Sequence, residues 1–531
     1  MAGGHEAIVA RIGDLREGEM REAKVGDTDV LLANVDGDYF AVAAACTHMG
    51  ARLVDGILRR RRLICPWHHA CFDVATGDVH EPPALDALPS YPVTLRGEDV
   101  VVTVPDDAPD RRQMPMAERS DADVRIFAIL GGGAAGHAAA EALRQHGFGG
   151  RIVLISADPH LPYDRTIMSK DYLNGEGDRA WVPLRPDEFY AQHGIETMVD
   201  REVERVEVQD RAIHFASGGI FRYDALLVAT GGTPRRLDVQ QGADLPGVFT
   251  LRSYDDADAI IASMGGAAAA VVVGASFIGM EGASALTKRG LKVSVVAPEA
   301  VPFGRILGDR VGRMLQTVHE EQDVTFYLGK KVARIEGDGR VEAVVLESGE
   351  RIPADLVIVG LGVSPATAVL RGIELQEDGS LKVDRWMRAS VADALYAAGD
   401  IATFPLWPTW EHTRVEHWRT AQQHGRTAAQ AMLKEGNGYM GVPIFWSLHF
   451  EQSIRYVGHT DAFDEIIYSG EPESRTFLAY YIKGGYVVAV SGSNRDRELA
   501  AVEELMRLQW MPSVAELRAG EIDLIALLAQ A

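Results

Sequence analysis

Residues Phe127 to Leu143 read FAILGGGAAGHAAAEAL. An apolar run enters Gly131, Gly133 and Gly136, and the Ala-rich stretch that follows has the period of a helix. Glycines at this spacing let a strand turn sharply into a helix and let a pyrophosphate approach the backbone N–H groups at the helix N-terminus. A lone G-x-G-x-x-G is a weak signal, so its context decides. About 143 residues further on, VVVGASFIGMEGASAL sets Gly274 and Gly279 around Ser276, whose small side chain hinders close approach without preventing it. Apolar strands alternating with helical periods persist from Val124 to about Glu435, the pattern of parallel βαβ units. Two nucleotide-binding modules are expected rather than a short-period repeat.

Outside that region the pattern changes. Residues 1–104 alternate runs such as VLLANV and FAVAAA with Gly and Asp turns, which is an all-β pattern. PDDAPDRRQMPMAERSDAD, Pro105 to Asp123, is polar with three prolines and reads as a linker. After Gly436 to Gly441, β-like runs return (FLAYYI, YVVAVSG) and a helix follows from about Arg497 to Leu508, an α+β unit. The chain is therefore divided into an all-β domain (1–104), a linker (105–123), a first Rossmann-like domain in two parts (124–250 and 379–436), a second between them (251–378), and an α+β C-terminal domain (437–531). Three or four domains are also what 531 residues imply at roughly 150 each.

Hydrophobic and charged contents of 47 % and 24 % exclude a disordered chain and a polytopic membrane protein. With 53 Lys and Arg against 76 Asp and Glu, the net charge of −23 argues against a nucleic-acid partner and favours basic partner surfaces. No membrane span is expected, because Gly274, Ser276, Gly279, Glu281 and Gly282 break the longest apolar stretch, Ala267 to Leu286. The first twenty residues lack the apolar core of a secretory signal, so the cytoplasm is the expected location.

Cys46-Thr-His48, sixteen intervening residues and Cys65-Pro-Trp-His68 put one Cys and one His in each of two loops. The arrangement resembles the Rieske [2Fe–2S] pattern, in which one iron takes two thiolates and the other two imidazoles. Zinc in a Cys₂His₂ site and a metal-free core are the alternatives. High-potential Rieske domains are similar but place Ser and Tyr hydroxyls near the sulfurs and a disulfide between the loops. Here Ala70 and Phe72, and Ala51 and Trp67, hold those positions. Without such hydrogen bonds the potential should lie low, about −150 mV, as in ferredoxin-type members. His69 stands where that family usually has Gly and is expected to point into solvent; Cys71 reads as a buried apolar residue. Arg59 to Arg62 read as a solvated hairpin, with a salt-sensitive docking patch as the second reading.

Three segments resemble the two-dinucleotide-domain flavoprotein reductases: Pro162-Tyr163-Asp164-Arg165 through Met168-Ser169-Lys170, Ala229-Thr230-Gly231-Gly232, and Ala398-Gly399-Asp400. The resemblance implies FAD at the first glycine turn, with Arg165 on its pyrophosphate, Thr230 and Gly231 closing the site, and Gly399 and Asp400 at the ribityl and phosphate portion. Asp158, about 22 residues after Gly136, is the candidate for the adenosine ribose. At the second turn, Glu299 beyond the strand end favours NADH over NADPH, although Ala297 holds the usual acid position. With all three cysteines in the first 75 residues, neither a disulfide framework nor a redox Cys pair beside the flavin is expected.

Together with Glu416-His417-Trp418 and Phe445-Trp446-Ser447, these features are similar to the apoptosis-inducing-factor-like flavoproteins that carry an N-terminal Rieske domain. The reductase part is also similar to the ferredoxin reductases of bacterial ring-hydroxylating oxygenase systems. Either resemblance implies hydride transfer from NADH to FAD and single-electron transfer to the [2Fe–2S] cluster, then to an external acceptor protein such as an oxygenase. It implies that Lys170 and Glu281 meet near flavin N5 and that Trp418 lies at the pyrimidine side. Trp446 is placed over the flavin edge toward the cluster or in core packing. The alternatives are an NADH-responsive redox-sensing flavoprotein with slow turnover and an NADH oxidase. Oligomeric state is left open, a homodimer being one assembly.

Overall fold

Strand β1 (Ile126–Leu130) and helix α1 (Ala134–Gln145) flank the first glycine turn. The computed structural model describes residues 4–239 and 241–530; of the expected terminal domains, residues 1–3 and Ala531 lie outside the described residues. β1 is the middle of a five-stranded parallel sheet, with Arg151–Ile155 and Ile195–Met198 on one side and Ala225–Val228 and Leu395–Ala397 on the other. The last of these strands arrives from far along the chain, so a second module is inserted before the first is closed. Buried on both faces, the three central strands are near-continuous apolar runs rather than alternating ones, whereas Ile195–Met198 at the edge is only partly buried.

The insertion repeats the design. Strand β2 (Ala269–Val273), the turn at Gly274 and helix α2 (Phe277–Lys288) open a parallel sheet completed by Lys292–Ala297, Thr325–Leu328, Leu356–Val359 and Val248–Thr250. Two short strands cross the boundaries read from sequence. Val248–Thr250, expected in the first module, is hydrogen-bonded into the second sheet, and Leu370–Arg371, expected in the second, pairs with Val206 and Glu207 of the first. Strands of two or three residues carry too little pattern to be assigned to a sheet.

Helix α3 (Trp418–Met432) returns across α1, and strand β3 (Ile444–His449) begins a five-stranded antiparallel sheet backed by helix α4 (Asp496–Arg507). The N-terminal module is all β. Its antiparallel sheet of Ile57–Arg59, Arg62–Ile64, Cys71–Asp73 and Val79–Glu81 carries the second Cys-His loop between the second and third of those strands. One face of that sheet packs within its own domain through Leu63 and Phe72. The other sends Ile57, Ile64 and Cys71 into the core of the C-terminal module with Leu499, Val502 and Leu505.

The connecting segment is pinned. Ala87 and Arg112 exchange two backbone hydrogen bonds, Ala117 N–H donates to Arg144 O and Ser120 N–H to Gly149 O. Its polarity reflects a surface path, and its backbone ties the β domain to the first Rossmann-like module. No helix among the described residues is long and apolar enough to cross a membrane.

Candidate functional site

A cavity of about 820 Å³ runs from the first glycine turn, past both sheets, to the C-terminal module, within the size range of cofactor sites. Gly131 has φ +118°, and a Cβ there would lie 2.1 Å from Ala229 O; one on Gly136 would lie 1.9 Å from Gly131 O. Only glycine permits this turn, which brings backbone to the cavity wall. Helix α1 starts at Gly133 in extended conformation with no side-chain cap, leaving first-turn N–H groups open to an anion. Gly136 itself packs beneath the turn, outside the lining.

Farther along, Asp158 and Arg165 line the wall as a pair: Asp158 Oδ2 accepts from Arg165 Nη2 at 3.2 Å and from the Tyr163 hydroxyl at 2.9 Å. Thr230, Gly231, Gly399 and Asp400 form the opposite wall. Asp400 Oδ2 accepts from Arg252 Nη2 at 2.7 Å, and sequence reasoning missed this arginine because it lies outside every motif. The second glycine turn contributes Ser276 rather than Gly274 or Gly279, which pack as their counterparts do in the first turn. Glu299 is exposed two residues past its strand and stands apart from this cavity.

Lys170 and Glu281 come together in the wall, from a loop and from α2. Glu281 Oε2 accepts from Lys170 Nζ at 3.1 Å and from the Ser169 hydroxyl, and Oε1 from Ser447 Oγ at 2.6 Å. The side chains are 12 % and 4 % exposed, so this is no solvated surface pair. Ser447 also meets His449 Nε2 at 3.0 Å, and burial holds His449 near a pKa of about 3. Trp418, at the first turn of α3, and Trp446, on β3, complete this end.

Beyond Trp446 stand the four Cys and His residues. Each loop is closed by a backbone bond, Cys46 N–H to Ala51 O and Cys65 N–H to Ala70 O, both 2.9 Å. The Cys46 and Cys65 sulfurs lie close enough to perturb each other, which pushes the Cys46 thiol up and pulls Cys65 down. His48 Nδ1 and His68 Nδ1 lie 3.1 Å apart, and burial lowers the pKa of both imidazoles, His68 strongly. Among the described residues no three His, Cys, Asp or Glu side chains converge on one ion position. A sulfur pair beside a nitrogen pair is the donor set of a two-iron Rieske cluster, whereas zinc needs all four around one point. The His68 ring lies 4.4 Å from that of Trp446, and His48 6.4 Å.

His69 does not point into solvent. It is fully buried, its Nδ1 2.9 Å from Glu503 Oε2 on α4, and its carbonyl accepts from Arg419 Nη2 at 3.0 Å. A side chain in place of the usual Gly is accommodated because a second module covers the loop. Cys71 is buried as expected. The arginine run divides: Arg62 is no solvated residue but meets Glu81 at 2.6 Å and Glu504 of α4 at 3.3 Å. Arg419 and Arg455 went unnoticed in the sequence. Arg419, fully buried, donates to Pro82 O, His69 O, Glu81 and Glu503; Arg455 donates to Trp67 O and Asp496. Their partners lie from 41 to 388 residues away, and no spacing announces them.

Comparison with known proteins agrees with this geometry. The family models that match are a pyridine nucleotide-disulphide oxidoreductase over residues 126–425, a Rieske [2Fe-2S] domain over 5–92 and a reductase C-terminal domain over 444–528. Human apoptosis-inducing factor 3 is 39 % identical, the match covering 98 % of this chain and 86 % of that one. The ferredoxin–NAD(+) reductase component of the biphenyl dioxygenase system of Paraburkholderia xenovorans is 32 % identical over 74 % of this chain and 96 % of its own. Among solved structures, a covalent putidaredoxin reductase–putidaredoxin complex superposes with a TM-score of 0.72 at 27 % identity, over 77 % of this chain and 99 % of that one.

Proposed function

The chain belongs to the pyridine nucleotide-disulphide oxidoreductase family, as an apoptosis-inducing-factor-3-like member with an N-terminal Rieske domain, and from that premise we propose that it passes electrons from NADH through FAD to its own [2Fe–2S] cluster and on to an external acceptor protein. It is an NAD(P)H-dependent FAD oxidoreductase related to bacterial oxygenase ferredoxin reductases; the internal route and the acceptor are the proposal. The observation that carries it is the position of Trp446, in the wall of the large cavity and 4.4 Å from the ring of His68.

The residues present fit both groups the family implies. Gly131, Gly133 and the uncapped α1 N-terminus suit a pyrophosphate, with Arg165 beside it and Asp158 toward the ribose. Thr230, Gly231, Gly399 and Asp400 enclose the ribityl portion, and Trp418 the pyrimidine edge. Gly274, Gly279 and Glu299 serve the nicotinamide dinucleotide, with NADH preferred. Cys46 and Cys65 would hold one iron, His48 and His68 the other. Held there, FAD would supply hydride acceptance and single-electron release, and the cluster one-electron acceptance. The protein's own work is positional. Lys170, held by Glu281, presents a fixed positive charge to the ring system, and Trp446 with the buried imidazoles excludes water between the two groups. The acceptor is read as an oxygenase-type protein because a relative is named as a component of such a system.

Anaerobic titration with NADH, followed by visible absorption and low-temperature EPR, tests the route. Bleaching of the flavin together with a rhombic Rieske signal is the expected result. A bleached flavin with no cluster signal, in protein shown to contain iron and acid-labile sulfide, would overturn it in favour of an NADH-responsive sensor.

A further inference from the structure

A second cavity, about 510 Å³ in volume, opens where the β domain, α3 and the C-terminal module meet. Its charged lining is Arg62, Arg426, Arg507, His80 and Glu81, a basic concentration on a chain whose net charge is −23. Most of these charges are spoken for. Glu81 Oε1 accepts from Arg62 at 2.6 Å, and its Oε2 from Arg419 at 2.9 Å and Gln423 at 2.7 Å. Arg507 donates twice to Glu504, and His80 lies 3.4 Å from Asp73. Arg426 differs. Among the described residues it makes no ion pair, and its one hydrogen bond runs from Nη2 to Val79 O at 3.1 Å.

A guanidinium keeps its charge in proteins and carries five N–H donors in a planar fork suited to phosphate and carboxylate oxygens. Half-buried and, among the described residues, with no carboxylate in ion-pair contact, Arg426 bears a desolvation cost that Glu81 and Glu141 offset only from farther away and that an anion in the groove would offset directly. Half-buried Trp407 and exposed Met440 supply an apolar wall in the same cavity. The space exceeds what an inorganic ion fills. We infer that this groove is a binding site for an organic phosphate monoester, its charged head on Arg426 and its body against Trp407 and Met440. The inference is independent of the electron route.

Isothermal titration of the FAD-loaded protein, in chloride-free buffer with saturating NAD⁺ to close the dinucleotide sites, would compare inorganic phosphate with AMP. Saturable binding of both is expected, with AMP about tenfold tighter. Arg426→Met should weaken each roughly tenfold or more. Gln430→Glu tests the idea without removing the cation: residue 430 is one helical turn from Arg426 on α3 and lines the same groove, so a carboxylate there would pair with Arg426 and repel the ligand. Flavin reduction by NADH should be unchanged in both variants. Absence of binding by either ligand, binding that survives both substitutions, or AMP no tighter than phosphate would each overturn the proposal.

Discussion

Glu281 is the carboxylate on which the cavity end depends. It accepts from Lys170, Ser169 and Ser447 while 4 % exposed, so Glu281→Gln keeps the volume but sets an amide N–H₂ against donors. Lys170 then loses its only carboxylate partner among the described residues, and its fixed position. We expect reduction of the flavin by NADH to slow by roughly tenfold or more at unchanged FAD content; an unaltered stopped-flow rate would mean the pair is purely structural. The buried imidazoles give a second expectation. Burial holds His417, His424 and His449 at a pKa of about 3, below the unfolded value of about 6.5. The unfolded chain therefore binds more protons below that pH, and stability, full above it, falls as pH drops toward 3. At pH about 5.5 each contributes a loss of roughly 1.4 kcal/mol, so the urea midpoint should be clearly lower there than at pH about 7.5; equal midpoints would contradict the burial argument. Lys170 and Glu281 were readable because each sits in a recognisable segment. His69 was not: the partner that buries it, Glu503, lies on a helix 434 residues away.

At the scale of elements, the cavity depends on how closely α1 and α3 cross. Gly425 lies on α3 over the backbone of α1, where a Cβ would come 2.1 Å from Ala135 O, within the same first turn that holds the uncapped N–H groups. Gly425→Ala cannot be absorbed by a rotamer change, since the obstacle is main chain. Overpacking of this kind costs about 1–3 kcal/mol, and the displaced helix would carry Trp418 and the Gly131–Ala135 turn apart. The expected outcome is a lower flavin-to-protein absorbance ratio together with a lower thermal midpoint; full flavin content would show that the crossing has slack. The two strand–turn–helix units were legible because glycine chemistry and apolar period agree over a dozen residues. The crossing itself was not, because Gly425 sits alone in a helical stretch with nothing to mark its neighbour. The segment from Pro105 to Asp123 shows the converse: composition announced a linker, yet backbone bonds from Arg112, Ala117 and Ser120 hold it down.

For the whole molecule the question is whether the β domain is a tethered shuttle or a fixed part. An exposed arginine patch on an acidic surface would be weakened by salt, whose screening length is about 10 Å at 0.1 M. The contact is instead built from buried groups: Arg419 is fully buried between Glu81 of the β domain and Glu503 of α4, and burial raises the cost of parting them. Ile57, Ile64 and Cys71 join the C-terminal core beside them. Buried pairs and apolar area are little affected by added salt. Cluster reduction by NADH should therefore change less than about twofold between about 0.05 and 0.5 M salt. Arg419→Met removes the shared cation and leaves two carboxylates short of a partner, at a cost of about 3–5 kcal/mol. That variant should reduce its flavin normally yet reduce its cluster slowly, and its residual rate should depend on salt because a domain loosened from its seat would re-dock through charges in contact with solvent, which salt screens. A salt-sensitive wild type would mean the domain leaves its seat between electron transfers. A salt-insensitive wild type with a salt-sensitive Arg419→Met would mean that one buried guanidinium keeps His68 against Trp446, making the distance between flavin site and cluster a property of the fold rather than of an encounter.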